Sequence, residues 1–288
     1  ATELIERIEN DGLLPLFTSC SPGWIKFIEH QYPEFLDNIS SCKSPQQMFG
    51  AVAKSYYLEE NNLQEDEIVV VSIMPCTAKK FEANRKEMEG DIDYVLTTRE
   101  LGRMIKEAGI DINKLKKEKH DQLLGTSSGA ADIFGSSGGV MEAALRTAYE
   151  FITGEELKEL DFHMARGIKG IKEAELEIAG INYKVAIANG LGNARKIMER
   201  IKKGEKFHFV EFMACPGGCI GGGGQPKAPN NAVLEKRLEA LYNIDKEKEI
   251  RKSHENPYIK KIYDEYFEKP GSDKAHALLH TKYLKRGI

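Results

Sequence analysis

The sequence predicts an α/β fold in which two lobes of twisted parallel sheet, flanked by helices, enclose a cleft, with a helical C-terminal tail. Three observations support this class. Short apolar runs rich in β-branched residues recur along the 288 residues, and stretches with helical spacing of apolar residues separate them. No apolar run approaches the roughly eighteen residues of a membrane span. Strands that alternate with helices of this length are typical of parallel sheets covered by helices.

The elements follow in chain order. TELIERIENDG at 2–12 predicts a helix, with Glu3 and Arg7 spaced to pair, that stops at Gly12. The predicted strands are LLPLFTSC (13–20), IVVVSIMPC (68–76), YKVAIANG (183–190) and FHFVEFMAC (207–215). The predicted helices between them are SPQQMFGAVAKSYY (44–57), TTRELGRMIKEAG (97–109) and GGVMEAALRTAYEFITG (138–154).

The same pattern predicts one integrated domain with three parts. Residues 1–90 form the first lobe, 91–226 the second lobe, and 227–288 a charged C-terminal segment that is mainly helical after Pro257. The glycine run at 221–224 divides the core from this segment. The first helix begins at residue 1 with no lead-in, so we expect the sequence to be a piece of something longer.

Composition and charge restrict the function classes. The 41 Lys and Arg nearly balance the 45 Asp and Glu, for a net charge of −4, which gives no reason to expect nucleic-acid binding or membrane insertion. No signal-peptide pattern is present, so we expect a cytoplasmic protein. Five cysteines are an odd number without export signals, which argues against a disulfide framework. Buried thiols, a reactive thiol or metal ligands remain.

Three of the predicted strands end in a cysteine beside a turn, at Cys20, Cys76 and Cys215. Ligands of open parallel sheets bind outside the carboxyl ends of the strands, so these thiols are expected to converge on one crevice. Buried core cysteines would sit in the middle of strands as often as at their ends. The pattern therefore favours a metal or cluster site.

The third of these strands leads into CPGGC, in which Cys215 and Cys219 bracket PGG and IGGGGQP follows. Glycine allows the backbone to wrap closely round a bulky inorganic group and to donate N–H groups to it. Zinc also tolerates this cysteine spacing. All-thiolate ligation from three distant strands suits an iron–sulfur cluster at least as well.

Together the motifs resemble a known family. TSCSPGW (18–24), MPCTAKKFE (74–82) and EFMACPGGCIGGGGQP (211–226) resemble the three signature stretches of the catalytic domain of iron-only (FeFe) hydrogenases. SPQQMFG, IFGSSGGVMEAALRTAYE, RGIKGIKEAE and RKSHENP resemble its intervening segments. The resemblance runs from residue 1 to about residue 283. It implies reversible reduction of protons to dihydrogen, with the active site in the cleft between the lobes.

The resemblance implies a 4Fe-4S cluster and a two-iron subcluster with carbon monoxide, cyanide and dithiolate ligands, together called the H-cluster. By motif position Cys76, Cys215 and Cys219 are ligands, and Cys219 bridges to the two irons. Ser21 stands where the family has the fourth cysteine. Its oxygen is harder and more basic than a thiolate, so the cluster should be held less firmly. Three outcomes stay open: Ser21 ligates, Cys20 shifts in to replace it, or the cluster is missing or incomplete.

Further roles follow from the same resemblance. Cys20 matches the proton-relay thiol, Lys79 the lysine that points at a cyanide ligand, and Glu82 the acid that pairs with this lysine. The implied pocket residues are Met74 and Met213, which pack on the two-iron unit, Pro45, Gln46 and Phe134, which line the pocket, and Ser19, which bonds the other cyanide.

The family's proton route implies Ser40, Glu3 and Arg7 as its last three members. The glutamate that precedes them in the route would lie immediately before Ala1. The implied partners are dihydrogen and protons as substrates, an external ferredoxin-type electron carrier, and maturation proteins for the two-iron unit.

Three alternatives remain from the sequence: a non-catalytic relative that carries clusters for iron–sulfur assembly, a sensory iron–sulfur protein of the same fold, and a simple zinc protein. The histidines add little. Their one i,i+4 pair, HALLH at 276–280, is typical of a packed or solvated helix, so no histidine is assigned to metal.

Overall fold

The computed structural model describes residues 1–287. The strands are β1 (Leu16–Phe17), β2 (Val71–Met74), β3 (Tyr94–Thr97), β4 (Ile171–Ile178), β5 (Ile181–Asn189) and β6 (Phe209–Met213). The helices are α1 (Thr2–Glu9), α2 (Pro22–Gln31), α3 (Pro45–Val52), α4 (Leu58–Asn61), α5 (Ala78–Ala83), α6 (Thr98–Glu107), α7 (Gly129–Asp132), α8 (Gly139–Thr153), α9 (Leu191–Lys202), α10 (Asn231–Glu247), α11 (Pro257–Ile262) and α12 (Asp273–Leu279). Within residues 1–287, no helix is both long enough and apolar enough to cross a membrane.

The larger sheet has the strand order β1-β6-β5-β4. β6 runs parallel to both β1 and β5, as the sequence predicts. β4, which the sequence analysis missed, pairs antiparallel with β5. Ala179 and Gly180 join β4 to β5, and both have positive φ, as the favoured two-residue hairpin turns require.

The smaller sheet consists of β2 and β3, which pair in parallel from Val71↔Tyr94 to Met74↔Thr97. β3 was also missed, because its four residues lie directly before α6 in a stretch with helical periodicity. Each sheet combines strands from both sides of residue 90. The division of the chain into 1–90, 91–226 and 227–288 stays a prediction.

Helices cover both faces of the larger sheet. On one face, Phe17 and Phe212 pack with Trp24 of α2 and with apolar residues of α9. The Trp24 and Phe212 rings stack with centroids 3.8 Å apart. On the other face, Leu16 and its neighbours on β5 and β6 pack against α1 and α8. Adjacent residues of a strand point to opposite faces, so β1 contributes to both layers.

The C-terminal segment packs back on the core through Arg146 of α8. All five N–H groups of this guanidinium donate: to both carboxylate oxygens of Asp245 at 2.8 and 2.9 Å, to Glu142 at 2.7 Å, and to the carbonyls of Leu160 and Arg251 at 3.0 Å. A buried arginine is stable only when its donors are satisfied in this way. The segment therefore belongs to the same packed unit as the sheets.

Candidate metal centre

The predicted ligands lie just beyond the carboxyl ends of three parallel strands. Ser21 follows β1 and lies at the N-cap position of α2, with Pro22 as the first helical residue. Cys76 lies between β2 and α5, and Cys215 follows β6. Cys219 begins a short 3-10 turn. Because β1 and β6 are neighbours in one sheet and β2 lies in the other, the site draws residues from both sheets.

Hydrogen bonds join the loops that carry these residues. The hydroxyl oxygen of Ser21 accepts from the backbone N–H of Ala214 at 3.2 Å, directly before Cys215. The N–H of Gly224 donates to the carbonyl of Pro75 at 2.9 Å, directly before Cys76. The loops after β1, β2 and β6 therefore meet at one place.

The thiols also influence each other's ionisation. Burial raises the pKa of Cys219 to about 12, the Lys79 charge opposes this rise, and Cys76 and Cys215 add to it. Burial likewise raises the pKa of Cys215, and Cys76 adds to the shift. Charge effects of this kind are felt only between nearby groups, so Cys76 and Cys215 lie near Cys219. A bound cation would stabilise the thiolate forms.

The glycine loop fits a close approach to the Cys76 turn. A Cβ atom on Gly222 would lie 2.1 Å from the carbonyl oxygen of Pro75, and one on Gly224 would lie 2.8 Å from the backbone nitrogen of Cys76. Any side chain at these positions would push the two loops apart. The glycines are therefore needed for the convergence of the cysteines.

The spacing of the thiols favours a cluster over a single ion. Zinc bound to sulfur at about 2.3 Å in a tetrahedral site would hold sulfur atoms about 4 Å apart. In the described part of the chain, three Cys, His, Asp or Glu ligand atoms all lie within 4.8 Å of one another only at Glu150, His254 and Glu255. Within the described residues, the sulfur atoms of Cys76, Cys215 and Cys219 are therefore not all within 4.8 Å of one another, which is wider than a tetrahedral zinc site requires.

The group formed by Glu150, His254 and Glu255 already binds a cationic side chain. The ammonium of Lys252 lies 2.6 Å from Glu150 and 2.8 Å from Glu255. This lysine occupies the place of a cation, so we assign no metal there.

Cys20 lies on the wall of a cavity of 770 Å³ that other predicted residues also line, namely Glu3, Ser19, Ser40, Pro45 and Phe134. Burial raises the pKa of Cys20 to about 12, and Lys79 opposes the rise.

The remaining predicted residues do not line this cavity. Met74 and Met213 end β2 and β6 beside the cysteine loops. The Ser19 hydroxyl donates to the carbonyl of Cys42 at 2.7 Å.

Glu82 organises the lysine. Its Oε2 atom accepts from Lys79 at 2.8 Å, from Ser44 at 2.7 Å and from Gln46 at 3.3 Å. The Lys79 ammonium also donates to the carbonyl of Cys20 at 3.1 Å. Gln46 in turn accepts from Ser72 of β2 at 2.7 Å. This buried network fixes Lys79 between the Cys20 and Cys76 loops.

The predicted relay residues form one hydrogen-bonded chain. Ser40 donates to Oε2 of Glu3 at 2.6 Å, and Arg7 donates to Oε1 at 2.8 Å. Arg7 also donates to the carbonyls of Leu13, Asp37 and Ile39. Glu3 is thereby held with one oxygen toward the Ser40 segment and the other toward the arginine.

The sequence analysis missed two features of this cavity. Cys42 lines it but received no role, because a lone cysteine carries no motif. His276 and His280 also line it, and the Nδ1 atom of His280 lies 2.8 Å from the Ser41 hydroxyl. The HALLH spacing was the available signal, which we interpreted as a packed or solvated helix.

Comparisons with known proteins agree with this geometry. Residues 1–223 match the family described as "Iron only hydrogenase large subunit, C-terminal domain", and residues 231–286 match "Iron hydrogenase small subunit". The chain is 52% identical over 278 residues to the NADP-reducing hydrogenase subunit HndD of Solidesulfovibrio fructosivorans, which covers 95% of this chain and 48% of that protein. The chain thus spans about half the length of this curated relative.

Two further relatives extend the comparison. Cytosolic iron-sulfur assembly component 3 of Mus musculus is 34% identical over 294 residues, covering 96% of this chain and 60% of that protein. A variant of the FeFe-hydrogenase HydA1 from Chlamydomonas reinhardtii has a similar structure, with a TM-score of 0.85 and 42% identity over 100% of this chain and 81% of that one. The chain therefore belongs to the iron-only hydrogenase family.

Proposed function

We propose that this chain is the catalytic domain of an iron-only hydrogenase, which interconverts protons and electrons with dihydrogen. The position of Cys20 supports this most strongly. Its thiol lines the same cavity as Glu3 and Ser40, while the next residue, Ser21, contacts the Cys215 loop. The proposed proton path and the proposed donor set would therefore meet at two adjacent residues.

Ser21, Cys76, Cys215 and Cys219 would hold the 4Fe-4S cluster, and Cys219 would be shared with the two-iron unit. When bound, the H-cluster supplies the electrons and the basic amine for hydrogen chemistry. Lys79 offers a positive charge to an anionic ligand. Its ammonium has three N–H donors, and two of them donate to the carbonyl of Cys20 and to the carboxylate of Glu82. The third donor is available to a small anion such as cyanide.

The other side chains shape the pocket. Met74 and Met213 supply apolar, polarisable surface beside the cysteine loops. Pro45 and Phe134 line the cavity and limit the water that it admits. Ser19 would have to rotate from the carbonyl of Cys42 to donate to a ligand in the pocket.

Proton transfer uses the groups that line the cavity. The Cys20 thiol holds a proton at Sγ and exchanges it with the cavity. The Ser40 hydroxyl, 2.6 Å from Glu3, passes its proton to the carboxylate as it accepts another. Arg7 keeps Glu3 in position and stays charged throughout.

We further propose that the protein is cytoplasmic. It would receive electrons from a ferredoxin-type carrier and the two-iron unit from maturation proteins.

The second candidate is a non-catalytic or sensory iron–sulfur protein of the same fold. Ser21 favours it, since one oxygen ligand weakens the hold on the cluster. The 34% identity to an iron–sulfur assembly component points the same way.

Anaerobic reconstitution separates the candidates. The purified chain is incubated with iron and sulfide, reduced, and examined by EPR; a synthetic two-iron unit is then added, and hydrogen evolution from reduced viologen is measured. We expect a 4Fe-4S signal followed by hydrogen evolution. A stable cluster without turnover would favour the second candidate. A protein that stays colourless and iron-free, or that retains zinc instead, would contradict both.

A further inference from the structure

Two histidines of the C-terminal segment face the relay glutamate across the cavity. His276 lies on α12, His280 follows its last residue, and both line the cavity together with Glu3. Their ring centroids are 4.1 Å apart. His276 is exposed to solvent, whereas His280 is half-buried. The pair therefore extends from the cavity wall to the protein surface.

The Ser41 side chain joins His280 to the relay segment. Its hydroxyl lies 2.8 Å from Nδ1 of His280, and its backbone N–H donates to Oε1 of Glu3 at 3.3 Å. Backbone hydrogen bonds hold the two segments in register: Thr281 donates to the carbonyl of Ser41 at 2.7 Å, and Lys43 donates to that of Leu279 at 2.8 Å. Ser41 thus contacts both groups, the carboxylate through its backbone N–H and the imidazole through its hydroxyl.

The charges around His280 suit a proton acceptor. Burial lowers the pKa of His280 below 6.5, His276 on the same helix lowers it further, and Glu3 on α1 opposes the shift. From the facing segment, the Lys43 ammonium is paired with Asp91 at 2.7 Å. The imidazole is therefore neutral at neutral pH and can take up a proton. Arg7, on the other side of Glu3, cannot, because a guanidinium stays protonated.

We propose that His280 is a second proton outlet of the cavity, reached from Glu3 through a cavity water and the Ser41 hydroxyl and opening to solvent at His276. The outlet rests on the proposed function. In the step, the O–H bond of the protonated Glu3 breaks and the proton passes to a water in the cavity, which gives one of its own to the Ser41 oxygen as the Ser41 hydroxyl gives its proton to Nδ1 of His280. The proton on Nε2 of His280 then leaves to His276 or to water. No electron moves.

The coupling is tested first without any metal. Histidine-labelled full-length chain is titrated by NMR, with the His280 signal assigned by its loss in His280→Gln. Because Glu3 opposes the lowered pKa of His280, Glu3→Gln should move this titration to lower pH and leave the exposed His163 unchanged. An identical His280 curve in the two proteins would overturn the outlet.

The second arm measures hydrogen oxidation, in which protons leave, in loaded protein of equal iron content. At pH 8 we expect His280→Gln to lower the rate about threefold to tenfold, less than the 10²–10⁴ of a single obligatory acid–base group, because Glu3 can still release its proton to water beside Arg7. The deficit should shrink as the pH falls through the His280 titration, because the wild-type imidazole is then already protonated. Ser41→Ala should reproduce it, and the double variant should lose no more.

Controls separate the outlet from a structural role and from the proposed function. His163→Gln should oxidise hydrogen at the wild-type rate. A deficit of equal size at every pH, or losses that add in the double variant, would overturn the outlet. A fully loaded wild-type chain without turnover would overturn the proposed function instead, and the NMR titration would still decide whether Glu3 and His280 are coupled.

Discussion

The ion pair between Lys79 and Glu82 offers the sharpest test of how the site is built. Lys79 is 8% and Glu82 2% exposed, so Glu82→Gln would leave a buried ammonium without its counter-charge. The amide can keep the neutral bonds from Ser44 and Gln46 through its oxygen. The lost interaction is therefore the charge pair alone.

The expected magnitude follows from this geometry. Removing one partner of a buried ion pair costs about 3–5 kcal/mol. Lys79 retains its bond to the carbonyl of Cys20 at 3.1 Å, so we take the lower end, about 3 kcal/mol. That is roughly a 150-fold change in the unfolding equilibrium. It corresponds to a melting temperature about 6–12 °C lower for a chain of this size.

Circular dichroism of the metal-free chain at a fixed scan rate measures the shift. Glu34→Gln is the matched control, because it breaks the exposed pair with Lys202 and should leave the melting temperature within error. Adding Lys79→Met to Glu82→Gln should cost less than Glu82→Gln alone, since no unpaired charge remains and the amide oxygen still accepts from Ser44 and Gln46. If Glu82→Gln and the Glu34→Gln control had the same melting temperature, the charge of Glu82 would not be what stabilises the buried Lys79.

Three further outcomes are expected. Ser21→Cys should retain its 4Fe-4S EPR signal at least tenfold longer under a chelator than the wild type, since a thiolate binds iron better than an alkoxide; equal lifetimes would show that the serine costs the cluster nothing. Cys20→Ala should abolish hydrogen turnover with iron content unchanged, and undiminished turnover would remove Cys20 from the relay. Gly222→Ala should lose most of its reconstituted iron, because the added Cβ would lie 2.1 Å from the carbonyl oxygen of Pro75. The control Gly192→Ala has open space around the added Cβ and should bind iron like the wild type.

The sequence predicts the strands that carry continuous apolar runs. β5 and β6 are buried on both faces, whereas β2 exposes Val71 and Ile73. β4 was missed although Ala174, Leu176 and Ile178 alternate with glutamates along the strand, which is the period-2 pattern of a half-buried strand. β3 has only four residues, and it is a strand because it pairs with β2, which is not local information.

For the site, the motifs identify the residue types but not the contacts that hold them. The residues of the relay chain, Glu3, Arg7 and Ser40, were implied by resemblance, and their hydrogen bonds are formed in the structure. The Ser41–His280 contact was not predicted, because it joins residues 239 positions apart. Such a pair carries no local periodicity. Only the packing of the C-terminal segment brings it together.

The position of Ser21 shows why the departure from the family's motif need not disturb the fold. Ser21 is the N-cap residue of α2, and its hydroxyl oxygen accepts the Ala214 N–H at 3.2 Å. A thiol at the same place would accept this hydrogen bond only weakly. Serine therefore strengthens the contact between the β1 and β6 loops while it weakens the hold on iron. Ser21→Cys should therefore slightly lower the stability of the metal-free chain and raise the stability of the cluster-loaded chain. A change of the same sign in both forms would contradict these opposite effects of the serine.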